Sequence, residues 1–330
     1  MKIIIDAFGG DNAPLEIIKG SVLALETYPN IEILLVGKEE TIRSVAAENN
    51  ISLDKISIHD APDVITMEDE AGEIMKSKKD SSMAVGLRLL AAGEGDAFLS
   101  AGNSGALIVG ATMYVKRIKG VKRAAFSPLM PKTEGMVLLI DSGANVECRP
   151  EMLCQFGIMG SVYMEKVVGV KNPRVGLANV GTEEHKGGAL QHEAYKMLKD
   201  APINFVGNVE ARDIPMDAVD VVVADGFTGN IILKMYEGVG MALFGKIKEV
   251  FFKSTKNKLA ALMIKKDLKE LKKYMDYNNY GAAPIMGISK PVLKTHGSAK
   301  AQILVSAIES VMKFTASGAI DTIHQYINQK

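Results

Sequence analysis

Two cysteines in 330 residues, Cys148 and Cys154, are too few for a disulfide framework. The count fits a reducing compartment, and a C-x5-C spacing with no neighbouring histidine is a poor zinc signal, so both read as buried thiols. Charge of one sign is lacking too. The 39 Lys plus Arg balance 39 Asp plus Glu, which removes the global basic charge expected of a nucleic-acid-binding chain. No apolar run approaches the roughly 18 residues of a spanning helix. The start MKIII meets Asp6 too early for a signal-peptide core. The expectation is a soluble, cytoplasmic chain that at most touches a membrane surface.

Familiar signatures are also missing. There is no G-x-x-x-x-G-K-[ST] loop, and no G-x-G-x-x-G follows the first apolar run. GVGMALFG at Gly238–Gly245 has the wrong spacing and falls inside a helical pattern. These absences argue against a P-loop ATPase and a standard Rossmann dehydrogenase. Without H-E-x-x-H, G-x-S-x-G or a Cys/His pairing signal, no enzyme nucleophile is apparent.

What is present is strand–helix alternation. Apolar, β-branched runs occur at Lys2–Ile5, Glu32–Val36, Ile56–His59, Ala97–Ala101, Met136–Ile140, Arg174–Ala178, Ile203–Val206 and Val219–Ala224. Helical periodicity fills the gaps, as in Ser81–Gly93, Ala106–Ile118 and Pro150–Val168. Alternation of this kind predicts parallel strands joined by crossover helices, and continuous apolar runs predict a sheet covered on both faces. The fold expected is a layered α/β unit. No linker rich in Pro or Ser divides it, so residues 1–330 read as a single compact, two-lobed catalytic unit.

Five runs end alike, in DAFGGDNAP, SAGNSGA, DSGANV, NVGTEEHKGG and ADGFTGN. Each joins Gly with Asn, Asp, Ser or Thr and leads into a helical pattern. In parallel sheets such junctions gather at the carboxyl edge, where ligands bind. Any one of them alone is a capped turn. Together they point to an anionic ligand held by helix N–H groups and small polar side chains.

With SKKDSSM (Ser77–Met83), YGAAPIMGI and HGSAKA added in order, the set resembles the PlsX family, the phosphate acyltransferases of bacterial phospholipid synthesis. The resemblance runs from Asp6 to about Ala301. Phe8 stands where the family more usually has Met, and Ser104 where Thr is commoner. The resemblance implies an α/β/α sandwich with a mostly parallel sheet, similar to the isocitrate and isopropylmalate dehydrogenases, and a homodimer. It implies transfer of a fatty acyl group from acyl carrier protein to inorganic phosphate. The acyl phosphate would then pass to a glycerol-3-phosphate acyltransferase.

The residues suit that chemistry. Phosphate is its own nucleophile, ionised near neutral pH, and a thiol of pKa about 8.5 leaves readily. No metal or organic cofactor is chemically required. Gly102, Asn103, Ser104 and Gly105, with Asp225, Thr228 and Gly229, are the candidates for holding phosphate or substrate. Asn230 and Asn179 are candidate oxyanion donors. Lys186 is a candidate for neutralising charge, and His185 for protonating the thiolate. Asp6, Gly9, Gly10 and Asp11 read as organisers of their loop. There Asp6 accepts loop N–H groups, and Asp11 or Asn12 caps the helix near Pro14.

Residues Lys246–Lys273 break the pattern, with ten lysines against three acids. Ile264, Leu268, Leu271 and Met275 recur at helical spacing opposite the lysines. Residues 246–275 therefore read as an inserted, protruding amphipathic helical hairpin, its turn at Lys253–Lys258. Leu259, Leu262, Met263, Ile264 and Leu268 are the candidate contacts with an anionic membrane surface at the inner face of the cell membrane. Packing on the chain's own core or on a dimer partner is the alternative, and a basic face would also steer an acidic carrier protein. For the whole chain the alternatives are a phosphate acetyltransferase using coenzyme A and a non-enzymatic, membrane-associated scaffold of lipid synthesis.

Overall fold

The structure, a computed structural model, describes residues 1–275 and 281–329; the side chains of Lys272, Lys273 and Met275, and Tyr280 of the YGAAPIMGI motif, lie outside its described part. The eight apolar runs all form strands. Lys2–Asp6 (β1), Glu32–Gly37 (β2), Ile56–Asp60 (β3) and Ala97–Ser100 (β4) pair in parallel. Four short strands were not expected from the sequence: Ala125–Phe126 (β5), Leu129–Pro131 (β6), Ala283–Met286 (β11) and Val292–Lys294 (β12). The other apolar runs are Met136–Ile140 (β7), Arg174–Asn179 (β8), Asn204–Glu210 (β9) and Val221–Val223 (β10). Two sheets result, ordered β3-β2-β1-β4-β12-β11-β5 and β6-β7-β10-β8-β9. Each is parallel at its centre, with antiparallel pairs where β5, β6 and β11 join.

Helices cover both faces of the sheets. They are Leu15–Thr27 (α1), Glu39–Glu48 (α2), Ser82–Ala92 (α3), Ser104–Gly110 (α4), Pro150–Tyr163 (α5), Ala189–Lys199 (α6), Gly226–Phe252 (α7), Thr255–Met263 (α8), Lys265–Met275 (α9), Ala301–Ala316 (α10) and Ala319–Asn328 (α11). The period-two alternation of each strand sorts its side chains between two cores. In β1, Ile3 and Ile5 join Leu304 and Ile308 of α10, while Ile4 joins Met83 and Leu87 of α3. In the second sheet, Leu138, Val221 and Val175 pack on Phe156 and Met159 of α5, and Leu139 and Val222 pack with Leu233 of α7. One of these cores contains strands of both sheets, which ties the lobes together.

A buried ion cluster secures the second sheet. Lys132 is 5% exposed and donates to Asp220 (2.6 Å) and to Asp217; Arg174 donates to both carboxylates. Burial raises the Asp220 carboxyl, but Arg174 and Lys132 together hold it well below its ordinary value.

The basic segment departs from the expected hairpin. The long helix α7 runs unbroken to Phe252, and the turn is confined to Lys253 and Ser254. Thr255–Lys258 is already helical, because the Ser254 Oγ accepts from the Asn257 N–H (3.1 Å) as an N-cap. A second break at Ile264 separates α8 from α9. Among the described residues no single helix is long and apolar enough to cross a membrane.

Candidate functional site

Three neighbouring strands of the first sheet end in polar residues at the same edge. In register, Ile5 of β1 lies beside Leu99 of β4, and Ser100 lies beside Lys294 of β12. Asp6 is buried there and accepts from Ser82 Oγ (2.6 Å), Ser100 Oγ (2.7 Å) and the Phe8 N–H (3.2 Å). Burial raises its carboxyl in spite of these bonds. A link from the end of β1 to α3, to β4 and to the Phe8 N–H is thus visible in the contacts of Asp6.

The expected helix cap is not. Neither Asp11 nor Asn12 caps α1, whose N-cap position is Pro14 without a side-chain bond. The Asn12 amide donates instead to the Ser298 carbonyl (3.1 Å), and the Asp11 N–H donates to the Gly297 carbonyl (2.8 Å). The reason is tertiary: the HGSAKA loop after β12 lies against the DAFGGDNAP loop and supplies better-placed acceptors. Gly10 sits at φ +93°, and a Cβ on it would lie 2.6 Å from the Gly297 carbonyl oxygen. The two loops therefore fit together only with glycine there.

A cavity of about 280 Å3 opens beside this edge, lined among others by Asp11, Ser104, Lys234, Glu237, Lys294 and His296. Phe126, Pro128 and Leu129, from the strands joining the two sheets, form its apolar wall. Lys294 is 7% exposed. Among the described residues its ammonium donates to two backbone carbonyls, Thr295 (3.0 Å) and Ala101 (3.4 Å). Desolvation brings its pKa down to about 8, against the opposing pull of Asp11 and Asp6. Among the described residues the buried atoms Thr295 Oγ1 and Glu237 Oε1 have no hydrogen-bond partner. Buried polar atoms without partners call for a water or a ligand group within reach. His296 Nδ1 accepts from the Ser298 N–H (3.2 Å), which leaves Nε2 to carry the proton of the neutral ring. Desolvation, then the Lys294 charge, lowers the imidazole's pKa, so the ring is neutral at pH 7.

The other predicted residues fall on three further junctions. Asn103 is the N-cap of α4; its Oδ1 accepts from Ala106 N–H and its amide donates to Asp69 and Thr66 carbonyls. Of the SAGNSGA residues, Ser104 lines the cavity, and Gly102 and Gly105 pack closely on Met83 and Ala71. Asp225 caps α7, accepting from Thr228 N–H (2.8 Å) and Thr228 Oγ1 (2.9 Å). Gly229 permits the first turn of α7 to meet the DSGANV loop, since a Cβ on it would sit 1.8 Å from the Asp141 carbonyl oxygen. Asn230 is exposed beside Gly143. Asn179 ties its own loop, donating to the Lys186 carbonyl (3.0 Å) and accepting from Val180 N–H (2.8 Å). Lys186 is half-buried with its stem along Gly181, and His185 is exposed, its carbonyl 2.9 Å from His192 Nε2. The structure thus groups Ser104 and Asp11 with Lys294 and His296, and places Lys186, His185 and Asn179 together on the loop after β8.

Gly9 packs between Gly102 and Asp6, as a loop organiser would. Lys294, Lys234 and Glu237 were not anticipated as site residues. The available signal was a lysine ending an apolar run, followed at once by the polar Thr-His-Gly-Ser. Among the described residues no three His, Cys, Asp or Glu side chains gather as a metal site.

This α/β architecture is shared with phosphotransacylases of known structure. The chain superposes on a phosphotransacetylase from Streptococcus pyogenes with a TM-score of 0.65 at 16% identity, over 96% of this chain and 94% of that one. A branched-chain phosphotransacylase from Enterococcus faecalis gives 0.60 at 14% identity, over 96% and 100%. Sequence makes the assignment finer. The family described as "Fatty acid synthesis protein" matches residues 1–322. The phosphate acyltransferase of Acetivibrio thermocellus is 47% identical over 100% of this chain and 98% of its own length. That of Clostridium novyi is 43% identical over 100% and 99%. The chain belongs to this family, the PlsX family that its motifs resemble, and is an enzyme of the phosphate acyltransferase type.

Proposed function

We propose that this enzyme transfers a long-chain acyl group from acyl carrier protein to inorganic phosphate in the cavity beside Lys294. The observation that carries the reading is a buried ammonium whose partners among the described residues are backbone carbonyls, on a lysine that lines a cavity together with Thr295 and Ser104. A phosphate dianion there would gain a charge-assisted bond from Lys294 and a hydroxyl donor from Thr295. Ser104 would supply a further hydroxyl.

The chemistry then needs only positioning and charge stabilisation. A phosphate oxygen attacks the thioester carbonyl carbon, the tetrahedral oxyanion collapses, and the C–S bond breaks. The thiolate leaves with the electron pair and is then protonated. His296 lines the same cavity and would flank the oxyanion. Lys186 and Asn230, on second-sheet junctions, stay in the proposal as groups that meet the donor, with His185 and Asn179 on the Lys186 loop. We take Lys186 as neutralising charge and His185 as a proton source for the thiolate.

The same reading extends to the surroundings. Residues 1–330 would act as one two-lobed catalytic unit, and as a homodimer, within the wider group of isocitrate and isopropylmalate dehydrogenase-like sandwiches. The helices over 246–275 would reach an anionic membrane at the cytoplasmic face. Leu259, Leu262, Met263 and Ile264 support this, being 59%, 65%, 86% and 40% exposed. The product would be handed to a glycerol-3-phosphate acyltransferase there.

Comparing acyl-carrier protein with acyl-coenzyme A thioesters tests the donor. Faster phosphate-dependent thiol release from the carrier protein is expected. A clear preference for coenzyme A would move the enzyme to the phosphate acetyltransferase type.

A further inference from the structure

A second, larger hollow of about 1100 Å3 adjoins the cavity, and Glu237 and His296 line both. One wall is a single face of α7, where Gly240, Phe244, Ile247 and Phe251 recur at helical spacing. The opposite wall is Leu262 of α8 and Leu268 of α9. Lys248 and Lys258 lie at the far end with their ammonium groups about the Phe252 ring, at 6.0 and 5.9 Å. Their apolar stems extend the lining while their charges stay in water. From Glu237 to Phe251 the helix rises roughly 21 Å.

We infer that this groove holds the acyl chain of the thioester donor, so that α7, α8 and α9 measure the chain as well as carry any membrane contact. The inference rests on the transfer reading above. A thioester carbonyl placed beside His296 and Lys294 sends its alkyl chain away from the polar cavity, and the groove is the apolar route that begins at His296 and Glu237. Lining residues of α7 run from Glu237 to Phe252, so the hollow follows the helix, as a linear alkyl chain would. Two membrane candidates, Leu262 and Leu268, thereby face the chain, while Leu259, Met263 and Ile264 do not line the groove.

Gly240 lies on this face of α7, and a Cβ built on it meets nothing within 4 Å. A side chain there would enter the groove at a height of roughly 4 Å from Glu237, and Ile247 stands on the same face at roughly 15 Å. Glycine is the weaker helix former, so a larger residue does not work against α7 itself. Each methylene shut out of the groove should weaken use of the donor by up to about fourfold.

The experiment measures kcat/KM for saturated acyl donors of increasing length in the wild type, Gly240→Phe and Ile247→Trp, together with binding of a fluorescent sixteen-carbon fatty acid. Gly238→Phe, on α7 but off the groove, serves as control. Ile247→Trp should lower the ratio of long-chain to short-chain kcat/KM at least tenfold and weaken probe binding by a similar factor. Gly240→Phe should impose a shorter limit, and Gly238→Phe should leave the ratio unchanged. Unaltered ratios and probe affinity in both groove variants would overturn the inference. A change of oligomeric state without a change in chain-length ratio would assign the groove to a second copy and overturn it equally. Probe binding that responds to the variants in an enzyme without phosphate-dependent thiol release would refute the transfer reading and leave the groove standing.

Discussion

Replacing Lys294 by Met keeps the length of the side chain and removes its charge. Burial moves the ammonium's pKa from 10.5 to about 8, which corresponds to about 3 kcal/mol in favour of the neutral amine inside the protein. A phosphate dianion beside the ammonium reverses that preference and recovers a comparable amount. Loss of the charge should therefore lower kcat/KM for phosphate roughly a hundredfold. The effect on stability has the opposite sign. A lysine with a lowered folded pKa binds fewer protons folded than unfolded, so it costs stability below pH 8, and the cost fades as pH rises towards 10.5. The variant should melt higher than the wild type at pH 7, with the gain shrinking in alkaline buffer. The pH profile separates this from a packing effect. Wild-type kcat/KM for phosphate should fall above about pH 8 as the free enzyme loses the Lys294 proton, and the variant should lack that limb. Steady-state rates of thiol release at varied phosphate and pH, with calorimetric melting alongside, supply both readouts. Activity within threefold of the wild type, with the alkaline limb retained, would refute the reasoning.

Asp220→Asn leaves the buried Lys132 with a weaker partner and should cost about 3–5 kcal/mol, a fall in Tm of roughly 10 °C. Because the folded Asp220 carboxyl titrates below its unfolded value of 3.8, its contribution is present above that pH and lost as pH falls through the folded value. The variant's melting should therefore depend less on pH in acid than the wild type's. Met263→Glu combined with Ile264→Glu should abolish flotation with anionic vesicles, and unchanged flotation would remove these residues from any lipid contact. Lys186→Ala should lower kcat/KM at least tenfold with melting intact, and near-normal rates would exclude Lys186 from the mechanism.

The central parallel strands were legible because each is a continuous apolar run ending in a polar glycine turn. β5, β6, β11 and β12 were not, for physical reasons. They are two to four residues long, too short for a period to show. Pro284 within β11 also argues against a strand until one sees its place among short antiparallel strands near the sheet's end. The site suffered from the same blindness. Asp6 could be singled out because it ends the first apolar run, although its partners Ser82 and Ser100 lie 76 and 94 residues on. Lys294 ends a strand that could not be seen, and its burial depends on β4 and on loops nearly 200 residues earlier in the chain. Of the polar residues singled out in the junctions, Asn179 and Asp225 bond their own loops, and Asn103 caps its helix and reaches the Thr66 and Asp69 carbonyls. The composition of those turns announces their geometry more strongly than their ligand. The basic segment was visible as an amphipathic insertion, while its groove arises from the way α8 and α9 fold back on α7, which no linear pattern specifies.

The account stands most directly on the product. Phosphorus NMR of the purified enzyme with long-chain acyl-carrier protein and inorganic phosphate should show an acyl phosphate growing in step with free thiol, and neither without phosphate. Thiol release that proceeds equally without phosphate, or no release at all, would contradict it.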